Sequence, residues 1–238
     1  MKLVIDIGNT NIKLALFDDK RAIKFSNIYN CNLKEIQAFV DKVVVKSSII
    51  SSVRDLNSDI LRIASYFNAI IFSYETPVPI INNYKSPDTL GNDRLAAVVG
   101  AAFLYPEKDI LVFDAGTCLT IDFINFKNEY IGGRISPGIQ MRFKALNTFT
   151  DKLPLIYKEK NSNIIGKDTN SSIISGVQMG ILAEVELIIS EYKLQNPDII
   201  CIVTGGDCFF FEKALKNSIF ANPNLVLIGL NEILDYNE

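Results

Sequence analysis

Apolar and polar positions follow a strand pattern over residues 2–6, which run directly into Asp6-Ile7-Gly8. Strand patterns return over 11–17 and 22–28, with Asp18-Asp19-Lys20 as the turn between them. Three strands joined by short turns predict a meander, and its first turn carries Asp, Gly, Asn and Thr. The spacing then lengthens: Leu33, Ile36, Phe39, Val40 and Val43 fall on one side of a helix expected over 33–45. A strand is expected at 48–53, a helix at 55–67 and another strand at 69–72. Pro77 and Pro79 break the pattern, and 82–92 has the Asn, Pro, Ser and Gly content of a loop. Residues 93–104 predict a helix in which Ala96, Ala97, Gly100, Ala101 and Ala102 form a small-residue face suited to close packing.

At Asp109 the pattern starts again. A strand over 110–113 ends in Asp114-Ala115-Gly116-Thr117, a second spans 119–126, and a third spans 130–135 through Gly132-Gly133-Arg134. A helix is expected over 137–146 with Pro137 near its start, and a long helix over 171–192. A strand at 198–203 leads into Thr204-Gly205-Gly206-Asp207, followed by a helix at 209–216, a strand at 224–228 and a short terminal helix. Both halves therefore open with a three-strand meander whose first turn carries Asp-x-Gly and Thr. This order predicts a duplicated α/β unit, with domains at 1–108 and 109–238.

Composition narrows the chemistry. With 48% hydrophobic and 21% charged residues, the 238-residue chain has ample material for a packed core. A net charge of −3 offers no basic field for nucleic acid or an anionic membrane. The longest apolar runs, such as 110–113 and 199–203, are strand-sized, far short of the ~18 residues of a membrane span. No secretory pattern precedes the first strand, so a cytoplasmic protein is expected. There is no histidine, and Cys31, Cys118, Cys201 and Cys208 form no CxxC pair. A zinc site and Ser-His-Asp or Cys-His catalysis are thereby disfavoured, leaving acid–base work to Asp, Glu, Lys or Tyr. Cys201 reads as a small core residue.

Several constellations can carry chemistry. A strand that ends in Asp6-Ile7-Gly8-Asn9-Thr10 and turns straight back through Asn11-Ile12-Lys13 exposes backbone N–H groups and the Thr10 hydroxyl to phosphate oxygens. Gly8 allows close approach, Asp6 can hold a hydrated divalent cation, and Lys13 can meet a phosphate. The same residues also suit an ordinary turn, but the second copy at Asp114–Thr117 favours a nucleotide held by two such hairpins. No P-loop or Rossmann glycine pattern is present. Gly91-Asn92-Asp93-Arg94 opens a helix, where Asp93 is either an N-cap or a general base and Arg94 an anchor for an anionic group. Gly132-Gly133-Arg134-Ile135-Ser136-Pro137-Gly138 and Thr204-Gly205-Gly206-Asp207 are glycine turns of the kind that line ligand crevices or simply pack closely. In Gly166-Lys167-Asp168-Thr169, either Asp168 or Thr169 can cap the long helix, and 151–163 reads as a mobile solvated loop.

In order and spacing, Asp6 to Thr10 with Lys13, Gly91 to Arg94, Asp114 to Thr117 and Gly132 to Gly138 resemble the type III pantothenate kinase family. The resemblance covers essentially the whole chain. It implies the actin-like, hexokinase-like superfamily, with two ribonuclease-H-like domains, each a mixed sheet with a meander and flanking helices. It implies transfer of the γ-phosphoryl group of ATP to pantothenate, the first step of coenzyme A biosynthesis. The matching positions make Asp6, Ile7, Gly8, Asn9, Thr10, Asn11, Ile12 and Lys13 the phosphate-binding loop for ATP with Mg2+, and Thr117 a further ATP contact. Tyr84, Gly91, Asn92, Asp93, Arg94 and Thr169 would contact pantothenate, with Asp93 as proton acceptor. Asp114 would ligate potassium or ammonium. The family forms homodimers with the substrate site near the interface, which would give the small face of helix 93–104 and the glycine loop at 132–138 a purpose. The chain departs from the family pattern at Asn92, Cys118 and Asp168. Rival readings are another small-molecule kinase of the superfamily and a non-catalytic transcriptional accessory protein of the same fold.

Overall fold

In the computed structural model, which describes residues 1–160 and 162–238, the first meander forms as β1 (Lys2–Ile7), β2 (Ile12–Asp18) and β3 (Arg21–Ile28). β1 pairs antiparallel with β2 and parallel with β4 (Ser47–Ser52), giving the sheet order β3-β2-β1-β4-β5, with β5 at Ile70–Ile71. β1 is apolar on both sides because both faces are covered. Leu3, Ile5 and Ile7 join Ile12, Leu14 and Leu16 in one core with Ile36 and Phe39 of α1 (Leu33–Val40) and Ile60 and Ile63 of α2 (Ser58–Phe67). α1 stops before the apolar spacing does, because Asp41 takes φ 52° and returns its N–H to Gln37. α2 starts at Ser58, later than its pattern suggests, because the Asn57 side chain accepts the N–H groups of Asp59 and Ile60.

The expected strand at 224–228 is instead the start of α7 (Leu225–Tyr236). A run such as Leu225-Val226-Leu227-Ile228 suits a buried helix as well as a buried strand, and periodicity alone does not separate them. α7 packs against α3 (Asn92–Leu104). A Cβ on Gly229 would lie 1.8 Å from the Ala96 carbonyl oxygen, and one on Gly100 would lie 2.5 Å from that of Leu225. The small-residue face of α3 is therefore occupied within the chain, which corrects the expectation that a second subunit explains it. Lys20 bridges Glu232 and Asp235 of α7 at 2.5 and 2.6 Å, and Lys2 also pairs with Asp235.

The second meander is β7 (Ile110–Ala115), β8 (Cys118–Ile124) and β9 (Glu129–Pro137). β10 (Ile200–Thr204) pairs parallel with β7. With β6 (Ile81–Asn82) and β11 (Phe220–Ala221) the order is β11-β10-β7-β8-β9-β6. Pro137 ends β9, and Gly138 caps α4 (Ile139–Thr148), so Pro137 lies outside the helix in which it was expected. Phe143 of α4, Ile181 and Val185 of α5 (Thr169–Gln195) and Phe211 of α6 (Cys208–Ala214) build the second core over Leu111, Phe113 and Val203.

α5 is long and apolar enough by length and composition to cross a membrane, contrary to the expectation that no segment is. Its Ile173, Val177, Ile181, Val185 and Ile189 belong to the second core, as in a core helix. Two residues of the expected loop at 151–163 are hydrogen-bonded to the helices beside it. Gln178 exchanges hydrogen bonds with the Glu159 main chain (2.8 and 3.0 Å), and Asn147 donates to the Leu153 carbonyl at 2.8 Å. Asn161 of that loop lies outside the described residues.

The chain divides into two compact units, Met1–Lys108 with Ile124–Gly132 and Asn224–Glu238, and Asp109–Phe123 with Gly133–Pro223. Each meander's first strand is flanked by an antiparallel and a parallel neighbour. That repetition is the duplicated ribonuclease-H-like arrangement of the actin-like fold.

Candidate active site

The β1–β2 turn begins the site. Asp6 lies opposite Lys13 on β2 and in register with Ser51 on β4, so the three side chains share one face of the sheet. Asp6 is only 8% exposed, and Ser51 is fully buried. The Gly8 N–H closes the turn onto the Asn11 carbonyl at 3.0 Å, and a Cβ on Gly8 would crowd that oxygen at 3.1 Å. Asn9 and Thr10 are exposed. Ile7 and Ile12 send their side chains into the core, which leaves only their main chain for a ligand. A residue without a sequence signal joins here. Arg54 donates through Nε to the Gly8 carbonyl at 2.8 Å and through Nη2 to that of Asn9 at 3.1 Å.

A second cluster forms at the N-terminus of α3. A short 3-10 turn at Pro87–Thr89 delivers the chain to Gly91, which occupies the N-cap position. Asp93 is therefore inside the first turn rather than the cap, and its Oδ1 accepts the Arg94 N–H at 2.8 Å. Gly91 must remain small, since a Cβ there would meet that oxygen at 2.5 Å. Asn92 donates to the Phe72 carbonyl at 2.9 Å and so ties the helix start to the residue after β5. Arg94, 5% exposed, donates to the Tyr130 hydroxyl at 3.1 Å, and its guanidinium carbon lies 5.5 Å from the Tyr84 ring centre. Tyr84 and Tyr130 stack at 5.9 Å and 24°. The pairing of Asn82 with Tyr130 between β6 and β9 brings the two rings together. Gly132, at φ +132°, passes beside Tyr84. Sequence reasoning missed Tyr130, because an aromatic residue inside a strand pattern reads as core.

In the second unit, Asp114, the next-to-last residue of β7, is in register with the fully buried Thr204. Gly205 takes φ +87°, and a Cβ there would lie 2.5 Å from both Asp114 Oδ1 and the Ala115 carbonyl oxygen. A Cβ on Gly138 would lie 2.3 Å from the Gly116 carbonyl oxygen. The Asp207 N–H bonds to the Ala115 carbonyl at 2.9 Å, and the Gly138 N–H to that of Thr117 at 3.2 Å. Both glycine turns singled out in the sequence therefore converge on residues 114–117, where Thr117 is exposed. Thr169 is the first residue of α5 and exposed, while Asp168 is the cap. The Ser171 N–H and hydroxyl beside Asp168 hold its carboxyl below the usual range.

Among the described residues no group of three His, Cys, Asp or Glu side chains converges on a metal position. Asp6 and Asp114 each offer a single carboxylate. That suits magnesium at Asp6, since it keeps several waters and takes phosphate oxygens.

The family model for type III pantothenate kinase matches residues 2–191. A type III pantothenate kinase of Bacteroides fragilis is 44% identical over 239 residues, covering 100% of this chain and 98% of its own. Among solved structures, a protein from Campylobacter jejuni described as a Baf family transcriptional activator has a TM-score of 0.66 at 22% identity, over 99% of this chain and 98% of that one. An inorganic polyphosphate/ATP-glucomannokinase from Arthrobacter has a TM-score of 0.53 at 13% identity, over 99% and 98%. At these identities the two structural likenesses are likenesses of fold.

Proposed function

The chain belongs to the type III pantothenate kinase family, and on that premise we propose how its residues carry out the phosphorylation of pantothenate in coenzyme A biosynthesis. The reaction is phosphoryl transfer to an alcohol, which needs positioning and charge neutralisation more than covalent chemistry. Pantothenate binds at the N-terminus of α3. Support comes chiefly from the Arg94–Tyr84–Tyr130 cluster, where a buried guanidinium keeps its orientation before any ligand arrives. Such a group is a strong partner for the pantothenate carboxylate. The main chain of Gly91 and Asn92 and the Thr169 hydroxyl complete the substrate contacts. Asp93 takes the proton from the acceptor hydroxyl, a role open to a carboxylate in a chain without histidine.

ATP phosphates lie on the turn from Asp6 to Lys13, with Thr10 donating its hydroxyl, Lys13 its ammonium, and Asn9 and Thr10 their main-chain N–H groups, while the Gly8 N–H closes the turn onto the Asn11 carbonyl. Asp6 would hold magnesium, which supplies neutralisation of phosphate charge. Asp114 would hold potassium or ammonium, and Thr117 contacts ATP. The enzyme works in the cytoplasm as a homodimer.

The direct test is ADP release by purified protein with ATP, magnesium and potassium, offered pantothenate, sugars or acetate in turn. Pantothenate alone should support turnover, and replacing potassium with sodium should raise KM for ATP. ATP binding without pantothenate-dependent turnover would reject the substrate, and an unchanged KM in sodium would reject the cation role of Asp114.

A further inference from the structure

Beyond the residues named above, we propose that Arg54 is a positioning residue that aims the main-chain donors of the phosphate turn. The proposal rests on the reading that this turn binds ATP phosphates. In a planar trans peptide, the carbonyl of one residue and the N–H of the next point in opposite directions. Arg54 grips two successive carbonyls, those of Gly8 and Asn9, at 2.8 and 3.1 Å. The N–H groups of Asn9 and Thr10 therefore point away from the guanidinium, side by side, as the walls of an anion-binding nest do. A cation on the carbonyl side also polarises each peptide and strengthens its N–H as a donor.

The local sequence places Arg54 there by successive hydrogen bonds. The parallel register brings Ser52 level with Ile7, and the Val53 N–H extends it by bonding to the Ile7 carbonyl at 3.1 Å. Ser52 Oγ then accepts the Arg54 N–H at 3.0 Å and donates to the Arg54 carbonyl at 2.9 Å, which folds the main chain just past β4. The side chain thus emerges beside residues 8 and 9. Only arginine spans two carbonyls with one rigid fork, whereas a lysine ammonium is a point donor.

The experiment measures ATP and AMP binding by calorimetry, without acceptor, for the wild type, Arg54→Ala, Arg54→Lys and Gly8→Val. In both Arg54 variants ATP affinity should fall about 10- to 100-fold, the scale of hydrogen bonds to a charged group, with AMP affinity changed less than about twofold. Added guanidinium should restore part of the ATP affinity of Arg54→Ala. Unchanged ATP affinity in both Arg54 variants, with Gly8→Val weakened, would overturn the role of Arg54 and leave the turn as the phosphate site. Unchanged affinity in all three would overturn the phosphate reading of the turn, and Arg54 with it. Equal losses for ATP and AMP would also overturn the proposal, because they mark general damage. Should Arg54→Ala fail to fold, Arg54→Lys decides, since it retains the aliphatic stem and the charge.

Discussion

Asp93 and its neighbour Arg94 illustrate how much hangs on single atoms. Oδ1 of Asp93 accepts the Arg94 N–H and so helps to fix the first turn of α3. Asparagine keeps an oxygen in that position but cannot take a proton at neutral pH. Asp93→Asn should therefore retain the fold and its thermal midpoint while kcat falls by about 10²–10⁴, the range of general-base catalysis. A variant with wild-type kcat would leave Asp93 a structural residue. The residues of the Asp6 turn and the Gly91-to-Arg94 run were legible in the sequence because they are contiguous and chemically unusual for their position. Tyr130 and Arg54 were not, because each acts through a partner 36 or more positions away. Cys201 behaves as the inert core residue its strand pattern suggested, and burial pushes its thiol up to about 11.

At the level of elements, α7 shows where pattern reading stops. Its apolar residues are buried around most of its circumference, so no polar stripe reveals the helical period. What lets it lie close against α3 is the pair Gly100 and Gly229, where the two backbones touch. Glycine in a helix ordinarily costs up to ~1 kcal/mol relative to alanine. At Gly229 a methyl group would overlap the Ala96 carbonyl, and overpacking costs of about 1–3 kcal/mol or more exceed the propensity gain. Gly229→Ala should therefore lower the thermal midpoint by several degrees, at about 2–4 °C per kcal/mol for a chain of this size. Gly180→Ala in α5, where nothing lies within 4 Å of the new methyl, should leave it unchanged or higher. A loss at Gly180 equal to that at Gly229 would contradict the role assigned to close packing.

For the whole molecule, the repeated meander is the organising fact, and both copies place an aspartate at the end of a strand that has a buried hydroxyl residue in register beside it. Homodimer formation is the remaining proposal at this scale. The small face of α3 no longer supports it, since α7 covers that face. The dimer is therefore a matter for direct measurement. Light scattering at micromolar concentration should return twice the chain mass of 26.6 kDa, and a mass of one chain would dismiss the dimer.

The duplication, the two aspartate turns, the glycine turns and the absence of histidine chemistry were settled by the sequence alone. Each is a local signal, carried by neighbouring residues and the backbone conformations they permit. Tertiary structure decided the rest: the helical state of residues 225–236, the hydrogen bonds of Gln178 with Glu159, and the meetings of Arg94 with Tyr130 and of Arg54 with Gly8 and Asn9. These depend on which distant segments share a register or a packed face. A single strand or helix pattern does not encode that choice, because the same apolar run is satisfied by several partners until the whole chain has folded.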